Sequence, residues 1–295
     1  MKIVICVNDC EQGLKLAEFT NRLGFPDSEF HFVHVILPIM SAPLDMDSGA
    51  SAVLYADAQR SALDDARAKL TELSEEFHLR SKVPAQNHVS CGEPVRNVLH
   101  YVEQIKADLI VVGRTERGPI GRLFLGSVSR SVVAESKVSV LVVQTPVPAG
   151  SVSIRVLMAT DLSSYARQCI EHLYELAPRR IEQLTILNIY DKEDHDRLRA
   201  AAPTEADECV EEHMTRLRRS IDSLASEFKH LIPVVGSKVE INSVRTAIHD
   251  EMAKTKSDLL ILGAHGHTWL ERTHLGSVSF RQAFGEPYSV LIMRV

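Results

Sequence analysis

Short apolar runs alternate with segments of helical periodicity along the whole chain. The run at 109–112 is continuously apolar, which is typical of a strand buried on both faces of a parallel sheet. Segments of helix length, such as 94–106 and 244–256, separate these runs. The pattern predicts an α/β fold with doubly wound parallel sheets. The predicted strands are 2–7, 30–36, 86–91, 108–112 and 139–143, then 154–159, 183–190, 235–241, 258–262 and 288–294.

The second half of the chain repeats the first at an offset close to 150 residues. Asp-Leu-Ile-Val-Val-Gly at 108–113 returns as Asp-Leu-Leu-Ile-Leu-Gly at 258–263, and Leu-Gly-Ser-Val-Ser at 125–129 returns at 275–279. The apolar faces of two predicted helices also correspond. They are Leu63, Ala66, Leu70, Leu73 and Phe77 in the first half, and Met214, Leu217, Ile221, Leu224 and Phe228 in the second. We therefore predict two homologous domains, 1–145 and 152–295, joined by a Pro- and Gly-rich linker at 145–151.

Charge and cysteine usage narrow the function classes. The 33 basic and 39 acidic residues give a net charge of −6, which argues against a protein that neutralises nucleic-acid phosphates. The five cysteines are scattered without Cys-x-x-Cys spacing, so neither a zinc site nor a redox pair is indicated. No apolar run reaches the ~18 residues that a membrane helix needs, and the first residues read as a strand rather than a signal peptide. We expect a reduced, cytoplasmic protein with no membrane partner.

Glycines follow the fourth predicted strand of the second half. Gly-Ala-His-Gly at 263–266 comes directly after that strand, and Gly276 and Ser277 open the next predicted helix nine residues later. In open parallel sheets ligands bind beyond the carboxyl ends of the strands. Glycines there let the backbone approach a ligand, and the start of a helix offers free amides to phosphate, with the Ser277 hydroxyl as a capping group. The alternative is that these are ordinary turn glycines.

The Gly-x2-Gly-x9-Gly-Ser pattern resembles the ATP-binding signature of the universal stress protein family. The segment Val-Leu-Met-Ala-Thr-Asp-Leu-Ser at 156–163 resembles the family's first strand, which ends in an aspartate. The resemblance covers nearly the whole chain as two tandem copies. It implies five-stranded parallel sheets of order 3-2-1-4-5 that pack as an intramolecular pseudo-dimer, with 138–143 against 288–294. Whether two chains also form a homodimer is left open.

The resemblance also implies a set of ligand contacts in the second half. Ala159, Thr160 and Asp161 would contact adenine and ribose, and Ile189 would form a wall of the adenine site. Gly263, His265 and Gly266 would border the ribose and phosphates. The phosphates of ATP, carried with Mg²⁺, would meet the residues that open the last helix: Gly276, Ser277, Val278 and Ser279.

Two of these residues have simpler interpretations. Asp161 would be an ordinary N-cap if it only closed the first turn of the following helix. His265 and His267 are spaced as metal ligands in a loop can be, but no recognised metal-ligand motif completes the pair, so a metal site is not expected.

The first half departs from the pattern. Glu116 stands where the second half has Gly266, which adds bulk and a negative charge beside the expected phosphates. Asn8 stands at the position of Asp161, whereas the glycine and serine at 126–127 are retained. We predict an asymmetric protein with its competent nucleotide site in the C-terminal domain and a degenerate site in the N-terminal one.

Three functions follow as hypotheses. The first is an ATP-binding stress-response regulator that acts through an unidentified protein partner. The second is a slow ATPase or phosphotransfer enzyme, for which Arg272 or its counterpart Arg122 could reach a phosphate, although no Walker A lysine follows the glycines. The third is a nucleotide-free interaction scaffold. No catalytic residue is assigned, and turnover is not expected to be the purpose. Segments 37–52 and 191–207 are predicted as mobile loops near the mouths of the sites.

Overall fold

The computed structural model describes residues 1–39, 49–114, 125–144, 153–201, 206–266 and 275–295. The chain divides into two compact units. Unit 1 contains 1–21 and 27–138, and unit 2 contains 22–26 and 139–295. The sequence predictions that involve Glu116, Arg122, His267, Arg272 and the linker 145–151 lie outside the described residues.

Unit 1 is a parallel sheet with helices between its strands. Its elements are β1 (Lys2–Cys6), α1 (Cys10–Arg22), β2 (Glu29–Ile36), α2 (Gly49–Ser81), β3 (Ala85–Cys91), α3 (Pro94–Ile105), β4 (Leu109–Gly113) and α4 (Ser127–Glu135). The strands pair in the order β3-β2-β1-β4, with Ile3 of β1 opposite Phe30 on one side and Leu109 on the other. All five residues of β4 are buried, as its continuously apolar sequence predicts.

Unit 2 repeats this arrangement. Its elements are β5 (Ser139–Val143), β6 (Ile154–Ala159), α5 (Ser164–Leu176), β7 (Ile181–Asp191), α6 (Lys192–Ala201), α7 (Ala206–Phe228), β8 (Val234–Asn242), α8 (Val244–Thr255), β9 (Leu259–Gly263), α9 (Ser277–Gly285) and β10 (Ser289–Met293). Strands β8-β7-β6-β9-β10 pair in parallel, which confirms the order 3-2-1-4-5. Strand β5 pairs antiparallel with β10, with Leu141 opposite Leu291, so the predicted pairing of 138–143 with 288–294 is also confirmed.

Amphipathic helices cover the sheets through the faces that the sequence indicates. Leu70, Leu73 and Phe77 of α2 are each no more than 2% exposed, and Ile221 and Phe228 of α7 are similarly buried. Helix α8 is capped by the residue that precedes it in the sequence: the Ser243 hydroxyl accepts a hydrogen bond from the Thr246 amide.

The predicted loop at 191–207 is largely helical, and the helix α2 begins at Gly49 within the predicted loop 37–52. Within 191–207, residues 192–201 form α6, whose first turn carries Glu193 and Asp194. Arg197 forms ion pairs with both carboxylates, and acidic groups at the start of a helix interact favourably with its dipole. The composition of this segment predicted a mobile loop, because α6 is polar and has no buried residue that would mark a helix face. Among the described residues, no helix has both the length and the hydropathy needed to cross a bilayer.

Candidate functional site

The carboxyl ends of β6 and β9 lie side by side at the point where the chain reverses its winding. Strand β6 is flanked by β7 on one side and β9 on the other, with Val156 opposite both Leu184 and Leu259. Ala159 ends β6 and Gly263 ends β9. Loops that leave two neighbouring strands in opposite directions open a crevice between them, which is where ligands of such sheets bind.

The loop after β6 is held by its own side chains. The Thr160 amide donates to the Leu187 carbonyl at 2.9 Å, and the Thr160 hydroxyl accepts from the Leu162 amide at 3.1 Å. The Asp161 carboxylate accepts from the Ser163 amide at 3.0 Å. The N-cap of α5 is Ser163, whose hydroxyl accepts from the Ala166 amide, so the alternative in which Asp161 caps the helix is wrong. Asp161 instead closes a turn one step earlier.

Asn188 supports this loop from the neighbouring strand and was not singled out by the sequence analysis. It is 3% exposed, and its amide nitrogen donates to the Thr160 carbonyl at 2.9 Å. A buried amide in an otherwise apolar strand is the signal that could have identified it, because buried polar groups are held by hydrogen bonds. Ile189, the predicted adenine wall, is the next residue and is half-buried. Successive side chains of a strand point to opposite faces, so the two residues serve different sides of β7.

The loop after β9 joins the strand to the start of α9. The Ala264 amide donates to the Met293 carbonyl, and the Gly276 amide donates to the Ala264 carbonyl at 2.8 Å. The Ser279 hydroxyl donates to the Gly263 carbonyl at 2.7 Å and the residue is 5% exposed. Its hydroxyl proton is therefore used within the protein, and Ser279 differs in this from the phosphate donor that the resemblance implies.

The first turn of α9 has no side-chain cap. Gly276 is the N-cap residue and the expected capping bond from Ser277 is absent, because Ser277 is already the first helical residue. The first helical bond runs from the Phe280 amide to the Gly276 carbonyl. The amides of Ser277, Val278 and Ser279 precede that bond, so they are the donors that a helix leaves to an anion.

The two loops approach each other at Gly266. A Cβ atom on Gly266 would lie 3.2 Å from Asp161 Oδ2, which is tighter than an ordinary contact. His265 packs its ring edge-on against Tyr165, with 5.1 Å between the ring centroids. The Tyr165 hydroxyl donates to the Met293 carbonyl, and burial raises the pKa of this phenol, so it stays a proton donor. Asp161, His265 and Gly266 are thus brought together by the fold.

A small apolar cavity lies under the site, between the sheet and α5. It has a volume of about 20 Å³ and its lining includes Ala159, Thr160, Gly263 and Cys169. Such a volume holds about one water molecule, so a nucleotide base would have to lie outside it. Burial raises the pKa of the Cys169 thiol to about 12, which makes this group unreactive at neutral pH. Within the described ranges, no group of three or more His, Cys, Asp or Glu side chains could hold a metal ion.

Comparisons with known proteins identify one family over both halves of the chain. The universal stress protein family matches residues 1–144 and 154–292. A universal stress protein of Mycolicibacterium smegmatis is 23% identical over 270 residues, which cover 91% of this chain and 88% of that protein. Universal stress protein MJ0531 of Methanocaldococcus jannaschii is 26% identical over 148 residues, which cover 49% of this chain and 82% of that protein.

A solved structure shows the same fold over both repeats. The crystal structure of a universal stress protein from Archaeoglobus fulgidus aligns with a TM-score of 0.68 at 19% identity, covering 99% of this chain and 98% of that chain. At this identity the likeness concerns the fold alone. The two successive family matches span most of the sequence, and the chain therefore belongs to the universal stress protein family, with two copies of the domain in tandem.

Proposed function

We propose that the second repeat binds an adenine nucleotide, ATP with Mg²⁺, in the crevice beyond the carboxyl ends of β6 and β9. One observation carries this proposal. The uncapped first turn of α9 is tied by the Gly276 and Ser279 bonds to the end of β9, while Gly266 lies against Asp161 on the opposite loop. An anion-binding helix start and a carboxylate therefore border one crevice.

The arrangement assigns different parts of the nucleotide to different groups. Phosphate oxygens would accept from the amides of Ser277 and Val278, where the positive end of the helix dipole favours negative charge. A ribose hydroxyl would donate to Asp161, whose carboxylate is kept near Gly266. Ala159 and the half-buried Ile189 would contact the base. Mg²⁺ would be held mainly by phosphate oxygens and water, as this ion commonly is.

The role that follows is regulatory. The nucleotide would bridge two loops that leave neighbouring strands in opposite directions, so its presence would fix their relative position. A surface that changes with nucleotide occupancy is what a protein partner can recognise. Hydrolysis is not needed for this role.

Calorimetric titration of the nucleotide-stripped full chain with Mg-ATP tests the proposal. We expect one site per chain. Asp161→Asn keeps an oxygen for the Ser163 amide but removes the charge, and it should weaken binding about tenfold or more, because hydrogen bonds to charged groups contribute about 1.5 to 3 kcal/mol.

Asn8→Ala is the matched control, since Asn8 occupies the corresponding position of the first repeat. This variant should bind Mg-ATP as the unmodified chain does. Two equivalent sites, or equal affinities for Asp161→Asn and Asn8→Ala, would contradict the assignment to the second repeat. No binding at all would leave an interaction scaffold as the function.

A further inference from the structure

Unit 2 contains a second, larger cleft on the face of the sheet that carries α5 and α7. Its volume is about 470 Å³, within the range of pockets that hold small ligands. Thr160 and Leu162 form one end, Arg167 and Ile170 of α5 form one wall, and residues of α7 form the other. The α7 residues are Arg219, Ser220, Ser223, Leu224 and Glu227.

The two arginines of this cleft differ in their partners. Arg167 holds Glu227 with two hydrogen bonds, at 2.9 Å and 3.1 Å, so this carboxylate is neutralised within the wall. Arg219 makes no ion pair with any described residue. Arg167 also donates to Glu171 at 3.2 Å, so Arg219 is the cation of the cleft that no described carboxylate neutralises. A guanidinium group is a planar fork of donors that fits a carboxylate or a phosphate.

In the first repeat, the corresponding helices approach each other closely at a glycine. There α1 packs directly on α2, since a Cβ atom on Gly13 would lie only 3.0 Å from Leu73 Cδ2 and 3.1 Å from Val7 Cγ1. The residues at the same positions of the second repeat are Ala166, Leu224 and Thr160. The second repeat thus carries a methyl group, at Ala166, where the first repeat has none.

We infer that this cleft is a binding site for a small organic anion with an apolar part. Arg219 would bind the carboxylate or phosphate, with the Ser220 and Ser223 hydroxyls as further donors, while Ile170 and Leu224 would contact the apolar part. An occupant would also touch Thr160 and Leu162, which flank Asp161. We expect an occupant to change the affinity for nucleotide through this loop; that expectation rests on the proposed function, whereas binding in the cleft does not.

The test uses the full chain, labelled with ¹⁵N and stripped of nucleotide, titrated with phenyl phosphate. We expect saturable shifts of the amide signals of Leu162, Arg167 and Ser223. Arg219→Gln should weaken binding about tenfold or more, because a charge-assisted contact is lost. Arg216→Gln, three residues earlier on the same helix but outside the cleft, should bind like the unmodified chain. Ser223→Leu should weaken binding by filling the cleft.

Three results would overturn the inference. The first is the absence of saturable shifts. The second is shifts confined to the amides of 276–279, which would place the probe at the start of α9 instead. The third is equal affinity of Arg219→Gln and Arg216→Gln. Inorganic phosphate that bound as tightly as phenyl phosphate would overturn the apolar part of the assignment. Because no nucleotide is present, the experiment can succeed even if ATP binding fails.

Discussion

The two repeats share a backbone framework after their first strands but differ in what their side chains add to it. The Val7 amide donates to the Val33 carbonyl and the Thr160 amide donates to the Leu187 carbonyl, both at 2.9 Å. In the second repeat the Thr160 hydroxyl then accepts from the Leu162 amide, a bond that the buried Val7 side chain cannot make. The same backbone bond is therefore followed by a polar side chain, Thr160, in one repeat and by an apolar one, Val7, in the other.

The two repeats also differ in the first turn of the helix that follows the fourth strand, which is α4 in the first repeat and α9 in the second. Ser279 lies 2.7 Å from the Gly263 carbonyl, whereas Ser129 lies 3.4 Å from the Gly113 carbonyl. A Cβ atom on Gly276 would lie 3.1 Å from the Ala264 carbonyl oxygen, while one on Gly126 would meet no described atom within 4 Å. The first turn of α9 therefore lies closer to the end of β9 than the first turn of α4 lies to the end of β4. A glycine motif retained in both copies thus supports a closely joined crevice in only one.

The largest expected effect is a change in the number of nucleotide sites. Glu116 lies outside the described residues, and its place in the motif comes from the sequence. Glu116→Gly should raise the Mg-ATP stoichiometry from one to two sites per chain, because it removes a like charge and a side chain beside the phosphates. Titration calorimetry measures this directly.

Glu116→Gln separates charge from bulk in that experiment. It keeps the size of the side chain, so a second site in both variants would identify charge as the cause. Unchanged single-site titration of Glu116→Gly would contradict the account of the first repeat as degenerate at this residue.

Removal of the Asn188 amide should affect both stability and binding. Asn188→Leu leaves the Thr160 carbonyl without its donor, and we expect a loss of about 1 to 3 kcal/mol in the free energy of unfolding. Mg-ATP affinity should fall as well, because the Asp161 loop loses its support. His34→Leu is the matched change, since His34 Nδ1 lies 2.8 Å from the Val7 carbonyl oxygen. An effect of His34→Leu on Mg-ATP affinity as large as that of Asn188→Leu would contradict the comparison.

The two motif serines should differ in their contribution to stability. Ser279→Ala removes a short, buried hydrogen bond and should cost about 1 kcal/mol in the free energy of unfolding. Ser129→Ala removes a bond of 3.4 Å and should cost less. Urea denaturation of the two variants measures the difference. Equal losses would mean that the tighter junction of the second repeat does not add stability.

The smallest effect concerns acid stability. Burial lowers the pKa of His31 from its usual value near 6.5, although the nearby Glu29 opposes this, and the ring contacts the Tyr101 hydroxyl. The unfolded chain therefore takes up its proton at a higher pH than the folded chain. This part of the stability is fully present above pH 6.5 and is lost as the pH falls toward the lowered pKa, with a slope of at most about 1.4 kcal/mol per pH unit.

The second repeat has Thr185 at the position of His31 and so supplies the control substitution. His31→Thr should reduce the loss of stability between pH 7 and pH 5. His88, whose pKa is also lowered by burial, stacks on Tyr101 at 3.9 Å and remains to contribute the rest. Denaturation curves at several pH values measure this slope, and an unchanged slope in His31→Thr would count against burial as the cause.

Much of the fold could be predicted because its signals are local. The run at 259–262 is apolar at every position and is fully buried in its strand. On the predicted α7 face, Leu217 is half-buried and the other four residues are buried: Met214, Ile221, Leu224 and Phe228. Segment 192–201 could not be assigned in this way. Its helix buries none of its residues, so no apolar periodicity marks it.

The candidate site was predictable in its location but not in its bonding. Glycines and an aspartate at strand ends indicate the crevice, because the carboxyl ends of neighbouring parallel strands meet at one edge. The identity of the α5 cap, the use of the Ser279 hydroxyl and the support from Asn188 did not follow. In each case several polar groups lie near the same partner, and the hydrogen bond forms with the group that has the better geometry. That geometry depends on differences of a few tenths of an ångström in distance.

The sequence by itself determined the repeat, the positions of the buried strands and the positions of the glycine motifs, because these depend on residues close together in the chain. Only the tertiary structure decided that Asn188 meets Thr160, that Ser279 meets Gly263 and that Arg167 and Arg219 face one cleft. These partners come from different elements, and their contact depends on how closely the helices pack on the sheet. The approach of α1 to α2 at Gly13, where a Cβ atom would lie 3.0 Å from Leu73 Cδ2, is one such contact.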